Sequence, residues 1–289
     1  DLYAFFSFTE SGWDDFPVRE LGRYLEKEPQ EICALEKSVV KELAEGAAQG
    51  SPEAKDFRAE DSQAEAGRPL AGKLDSLNIS REYRQVLEDR FREMDPLLIR
   101  VFDRYGERLV CLDTAYPGTA YFSGEEGGFR VDAASDLDNP LGPGSTFFHE
   151  SGHMIDWLMG KEKGQEYITS APRLIAAMET DLNNALSGIM KSEGCTLEEA
   201  KEKLSMELMA NPYASSCVSD VFGGLTGNQV VGAYAHSKEY WMLRGPEGVA
   251  REAFAEITEQ MACSPEGLSY TMKMMPKTVE VYRQILAEA

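Results

Sequence analysis

Residues 147–158 read Phe-Phe-His-Glu-Ser-Gly-His-Met-Ile-Asp-Trp-Leu, and the His149-Glu150-x-x-His153 spacing inside them constrains the chain more than any other feature. On a helix of 3.6 residues per turn His149, His153 and Asp156 fall at i, i+4 and i+7 and share one face, so two imidazoles reach one point in space. That is what a tetrahedral Zn²⁺ needs from two of its protein ligands. Glu150, one position round the helix, stands beside such an ion and is placed as a base for the water the ion activates. The chain has three histidines, His149, His153 and His236, and two of them form this pair, which sets it apart from a chance match. Phe147, Phe148, Ile155 and Leu158 can bury the helix, while Gly152 permits another backbone to approach it closely.

Length and charge narrow the remaining possibilities. At 289 residues the chain can bury a sizeable core in one or two domains. A net charge of −21 excludes a nucleic-acid partner, because phosphate binding needs clustered Lys and Arg. No apolar run approaches the roughly 20 residues that span a bilayer, so no membrane segment is expected. Asp1 to Glu10 lack the basic start of a signal peptide. Cys33, Cys111, Cys195, Cys217 and Cys263 are odd in number and widely spaced, and read as buried thiols of a reducing compartment; the cytoplasm is expected over secretion.

Along the chain, residues 15–49 carry the spacings of a helical pair joined near Pro29, and the polar stretch from Gly50 to Pro69 reads as a linker. We therefore divide the chain into an N-terminal helical segment with its linker, 1–75, and a main domain, 76–289. Ser80 is placed to cap a helix through Phe91, and a second helix runs from Pro96 to Tyr105. Strands are expected at 109–112 and 120–122, and Gly128–Asp132 alternates as an edge strand would. A turn-rich loop, 136–143, leads into the metal helix. Beyond it, helices are expected over 174–189, 196–208 (with Thr196 and Glu199 as a capping box), 247–261 and 276 onwards, and 218–225 is a short stretch that ends in a glycine-rich turn. A small strand is expected at 230–234 and a polar-aromatic turn at 236–241. Strands grouped ahead of helices give an α+β class.

A catalytic zinc takes three protein ligands and keeps a fourth position for water. Asp156 is on the right face but too far along it, and suits a supporting acceptor that holds His153 or a neighbouring helix. Asp220, which could equally cap a helix, and His236, which could equally hydrogen-bond, remain open as third ligands. So do Glu252 and Glu256, four apart and hence on one helical face.

His149-Glu150-x-Gly152-His153-x-x-Asp156, Glu252-x-Phe254-Ala255-Glu256 and Pro276-Lys277-Thr278, in that order, resemble the metallopeptidase domain of the anthrax-lethal-factor-like group, which includes the Pro-Pro endopeptidases. The resemblance covers about residues 105–289. It implies a mostly helical, zincin-like domain with a small sheet before the His-Glu-x-x-His helix, with Glu252 as the third zinc ligand and Glu256 as a supporting acid. Two departures stand out. About 100 residues separate His153 from Glu252, implying helical insertions, and the family's tyrosine seven residues before the ligand is replaced by Gly245, so that Tyr240 or His236 must serve instead. Val218–Trp241 is also similar to metallopeptidase-like regions of phage minor head proteins.

These readings lead to a zinc-dependent endopeptidase of the two-histidine, one-glutamate type, with His149, His153 and Glu252 as ligands and Glu150 as general base. His236 or Tyr240 would donate to the developing oxyanion. The expected partner is an extended protein or peptide substrate, added as a strand to the Gly128–Asp132 edge. The rival is a phage-head-associated structural or self-processing protein that keeps a metal-binding fold. Glu150 discriminates, since a bound metal needs the histidines and hydrolysis alone needs the glutamate.

Overall fold

Several of the described helices begin where a side chain accepts from their free N–H groups, and the metal-motif helix takes its acceptor from outside its own N-cap. A computed structural model describes residue 74, residues 79–109, 111–112 and 119–289; the helical pair and linker expected within 1–73 lie outside these. Helix α1 (Arg81–Glu93) is capped by Ser80, whose hydroxyl accepts from the Tyr83 N–H, and α2 (Pro96–Tyr105) by Asp95, followed by Pro at its first position. Three short strands follow, β1 (Cys111–Leu112), β2 (Tyr121–Ser123) and β3 (Gly128–Arg130), and then a short helix α3 (Ala133–Leu137). Helix α4 (Ser145–Glu162) carries the histidines. Its N-cap is Gly144, at φ 89°, which offers no side chain. Asp136 replaces it, accepting from the N–H groups of Thr146 (2.8 Å) and Phe147 (3.1 Å) and from the Tyr83 hydroxyl. A buried carboxylate at a helix N-terminus satisfies two orphan donors and faces the positive end of the dipole. The stretch 136–143, expected as a loop, thus opens inside α3 and helps to fix the start of the metal helix.

The sheet order is β1-β3-β2, with β1 parallel and β2 antiparallel to β3. This corrects the edge-strand expectation for Gly128–Asp132: β3 is the central strand, its ladder groups are taken on both sides, and no peptide can add to it. Alternation reports which face of a strand is buried, not how many neighbours the strand has. Phe129 is fully buried and packs edge-on against Phe147 of α4 at 5.3 Å, so the sheet grows outward from it in both directions. Among the described residues, the outer strand that touches α4 is β2, through Phe122 against Trp157.

Beyond α4 come α5 (Arg173–Glu193), α6 (Leu197–Ala210) and α7 (Ser216–Thr226). Thr196 and Glu199 form the expected capping box. Residues 230–234 form no strand; the Val231 and Gly232 N–H groups are taken by the Ser205 and Ser219 hydroxyls, so their donors are satisfied without a neighbouring strand. Helix α8 (Lys238–Cys263) starts at Ser237, which caps it, so 238–241 is helical rather than a turn. It bends sharply at Gly245 (φ 63°, ψ −170°), and its second half begins at Pro246, as the sequence indicates. Helices α9 (Pro265–Met274) and α10 (Pro276–Ala287) complete the chain. The Pro-Lys-Thr segment opening α10 is held by Asp181 of α5, which accepts from the Lys277 and Thr278 N–H groups and the Thr278 hydroxyl.

The described residues are mostly helical with this small sheet, and all belong to one compact unit. Phe147, Phe148, Ile155 and Leu158 are buried as the motif's apolar flanks require, each contributing roughly 1.5–3 kcal/mol of apolar transfer. Helix α4 crosses α8 at Gly152, where an added Cβ would lie 2.8 Å from the Ala255 Cα. That close approach is what places Glu252 opposite the histidines. Cys217 and Cys263 are buried, and Cys111 and Cys195 only partly so; Cys33 lies outside the described residues. No described helix is long and apolar enough to cross a membrane.

Candidate metal centre

One helical turn sets the His149 and His153 rings 4.9 Å apart, and Glu252 enters between them from α8. Glu252 Oε2 lies 3.4 Å from His149 Nε2 and 3.3 Å from His153 Nε2, and one donor atom from each of the three lies within 4.8 Å of the others. Ligand bonds of 2.0–2.1 Å at tetrahedral angles put neighbouring donor atoms about 3.3 Å apart, so both contacts to Glu252 have the length of a zinc tetrahedron's edge. A charge-assisted hydrogen bond would be shorter, about 2.7–2.9 Å. The donor set therefore fits a metal ion, as the sequence expects of these residues.

Electrostatics agree with the geometry. Burial alone would push the Glu252 carboxyl up, but the imidazoles of His153, His236 and His149 outweigh it and hold the group well below the usual carboxylate range. His149 runs the opposite way: burial lowers it, while hydrogen bonds to Glu252 and Glu259 raise it well above the usual imidazole range. Both shifts report carboxylates and imidazoles packed against one another out of water. Glu150 is 6% exposed, outside the ligand set, and its carboxyl is raised by burial against the pull of both histidines. A desolvated carboxylate beside the ligands is a stronger base than one in water.

On the other side of Glu252 stands a second polar group. Asp220, buried inside α7 and not capping it, accepts from the His236 backbone N–H and has its two oxygens 3.0 and 2.9 Å from His236 Nδ1. Tyr240 stacks on the His236 ring at 4.1 Å and donates its hydroxyl to Glu252 Oε1. Burial would lower the His236 imidazole, but Asp220 and Glu252 push it up to about 9. Asp220, His236 and Glu252 also bring donor atoms within 4.8 Å of one another, so this second grouping shares Glu252 with the first. In it both Asp220 oxygens already face His236 Nδ1, at 3.0 and 2.9 Å.

Of the supporting residues, Asp156 makes no hydrogen bond to His153 and holds a neighbouring helix instead, its oxygens accepting from the Thr169 N–H and hydroxyl in the short 3-10 helix (Ile168–Ser170) that follows α4. Burial raises its carboxyl to about 6 against those hydrogen bonds. Glu256 makes no hydrogen bond to either histidine, and its Oε2 is buried without a partner. Burial, with the neighbouring Glu259 acting in the same direction, raises Glu256 well above the usual range. The acid in contact with a ligand is Glu259, whose Oε2 lies 3.3 Å from His149 Nδ1. It stands seven residues after Glu252, two turns along the same face, a spacing that sequence could have offered. The Asp220–His236 pairing had no such signal, since it joins α7 to an irregular segment. No protein-family model, curated protein or solved structure matches this chain.

Proposed function

We propose that the chain is a zinc-dependent endopeptidase with a zincin-like main domain, in which His149, His153 and Glu252 would hold the ion. The observation that carries this reading is the convergence of His149 Nε2, His153 Nε2 and Glu252 Oε2 at tetrahedral-edge separations with Glu150 buried beside them. Two imidazoles and one carboxylate favour Zn²⁺ over harder, oxygen-preferring cations. A bound Zn²⁺ supplies an electrophile for the scissile carbonyl and lowers the pKa of water towards about 7.

The chain's own residues supply the rest. Glu150 takes a proton from the attacking water at its carboxylate and delivers it to the leaving amine nitrogen. Burial raises its carboxyl and so strengthens it as a base, while the neighbouring imidazoles pull the other way. His236, with Nδ1 held by Asp220, has Nε2–H left as a donor for an oxyanion, and a donor that is already charged needs little reorganisation. Tyr240 braces Glu252 through its hydroxyl and His236 through its ring. A structural protein that merely binds a metal needs neither Glu150 nor the Asp220–His236 pair, which is why the enzyme reading is preferred. The outer strands β1 and β2, not β3, are the edges among the described residues that an extended substrate could join, and β2 is the one that packs on α4 through Phe122. Incubation of the zinc-loaded protein with a peptide library, with Glu150→Gln as control, tests the proposal; cleavage absent from both, or equal in both, refutes it.

A further inference from the structure

The two histidines of the centre are not equivalent. His153 has Glu252 as its ion-pair partner, whereas His149 is held from both edges of its ring: Nε2 by Glu252 Oε2 at 3.4 Å and Nδ1 by Glu259 Oε2 at 3.3 Å. Glu259 is nine-tenths or more buried, sits on the same face of α8 as Glu252, and its other oxygen has no hydrogen-bond partner, so among its close contacts His149 is the ion-pair partner. A carboxylate in that position is costly to bury unless it meets a donor.

We infer that Glu259, rather than the motif-matching Glu256, is the positioning residue of the centre, fixing the proton of His149 on Nδ1 so that Nε2 is the nitrogen presented to the metal. A neutral imidazole carries one N–H, and whichever nitrogen donates elsewhere leaves the other free to ligate. With Glu259 accepting at Nδ1, the lone pair is left at Nε2, on the edge facing Glu252 and His153. The interaction also restrains rotation of the ring and raises the basicity of the ligating nitrogen. His153, one turn further along α4, has no second carboxylate among the described residues, so the tautomer lock is single. Glu256, at the position where the lethal-factor-like pattern puts its supporting acid, is one turn short of His149.

This inference rests on the metal-centre reading for its consequence but not for its geometry, and the experiment separates the two. Zinc affinity is measured by chelator competition for wild type, Glu259→Leu, Glu259→Gln and Glu256→Gln, with folding followed by circular dichroism. In parallel, ¹⁵N NMR of the histidine side chains in the metal-free wild type looks for an exchange-protected proton on His149 Nδ1. Glu259→Leu is expected to bind zinc about 10–100-fold more weakly. Glu259→Gln, whose amide oxygen still accepts, should recover most of that loss, and Glu256→Gln should stay within about threefold of wild type, having no contact to lose. The protected Nδ1–H should be present for His149 and absent for His153. Wild-type affinity in Glu259→Leu, or no protected Nδ1–H on His149, overturns the inference. If the wild type binds no zinc, the metal reading falls and the Nδ1–H signal alone decides whether Glu259 holds His149; the same signal decides if Glu259→Leu fails to fold.

Discussion

Gly152→Ala is the substitution that most directly tests whether the crossing of α4 and α8 builds the centre. The new Cβ would stand 2.8 Å from the Ala255 Cα and 3.2 Å from both Thr258 Cβ and Thr258 Oγ1. Carbon atoms in contact sit about 3.5–4.0 Å apart, so the helices must separate by roughly 0.7–1 Å, and a backbone atom cannot swing aside as a side-chain end can. Overpacking of this kind costs about 1–3 kcal/mol, against roughly 1 kcal/mol gained because alanine is the better helix former. The net loss of stability is therefore about 0–2 kcal/mol. Glu252 stands three residues from Ala255, so the same separation pulls it from the histidines by a distance several times the roughly 0.2 Å that metal–ligand bonds tolerate. Zinc affinity should fall at least about tenfold, a larger relative effect than the loss of stability, and turnover by about 10²-fold. Gly188→Ala is the control, because its added Cβ meets nothing within 4 Å in α5 and should stabilise by up to about 1 kcal/mol. Urea denaturation and chelator competition on both variants make the test. A Gly152→Ala protein that is stabilised like Gly188→Ala and binds zinc as wild type does would refute the reasoning.

Protein purified without chelator should carry close to one zinc per chain by metal analysis, and Glu252→Ala should abolish tight binding because two imidazoles alone leave the set incomplete. His236→Phe should retain zinc while kcat falls by about 10²–10³, the cost of losing one oxyanion donor; full activity in that variant would move the role to Tyr240. The His236 imidazole is raised from an ordinary value near 6.5 to about 9, so its contribution to stability is present below the unfolded value and is lost as pH rises through the folded one. Metal-free wild type should accordingly lose up to about 3 kcal/mol of unfolding free energy relative to Asp220→Asn between about pH 6.5 and 9. Parallel pH profiles for the two would exclude Asp220 as the partner that holds the charge.

Much of this centre was legible because it is helical and local. The His149–His153 pair, the caps at Ser80 and Thr196, the restart of α8 at Pro246 and the close approach at Gly152 are set by spacing and by backbone chemistry within a few residues. Glu252 is singled out in the sequence by pattern resemblance, and its place beside the two histidines follows from tertiary contact. What stayed hidden depends on neighbours distant in the chain. The central place of β3, the Asp136 cap on α4 and the Asp220–His236 pair each join segments that carry no periodic signal toward one another. Glu259 is hidden for a different reason, since Glu256 occupies the motif position one turn before it.

The interval between the ligands has a mechanical meaning. His153 and Glu252 are about 100 residues apart, and α5, α6 and α7 all lie in between. An ion held by both ends is then a cross-link that closes a loop comparable to the longest that disulfides close, where constraint of the unfolded chain is worth nearly 5 kcal/mol in the chain-entropy account. With an ion bound, the three intervening helices would be tethered at both ends. Removing the ion by chelation would release that tether along with the reactive centre, so the α5–α7 segment should be the part of the fold whose amide protection depends most on the metal.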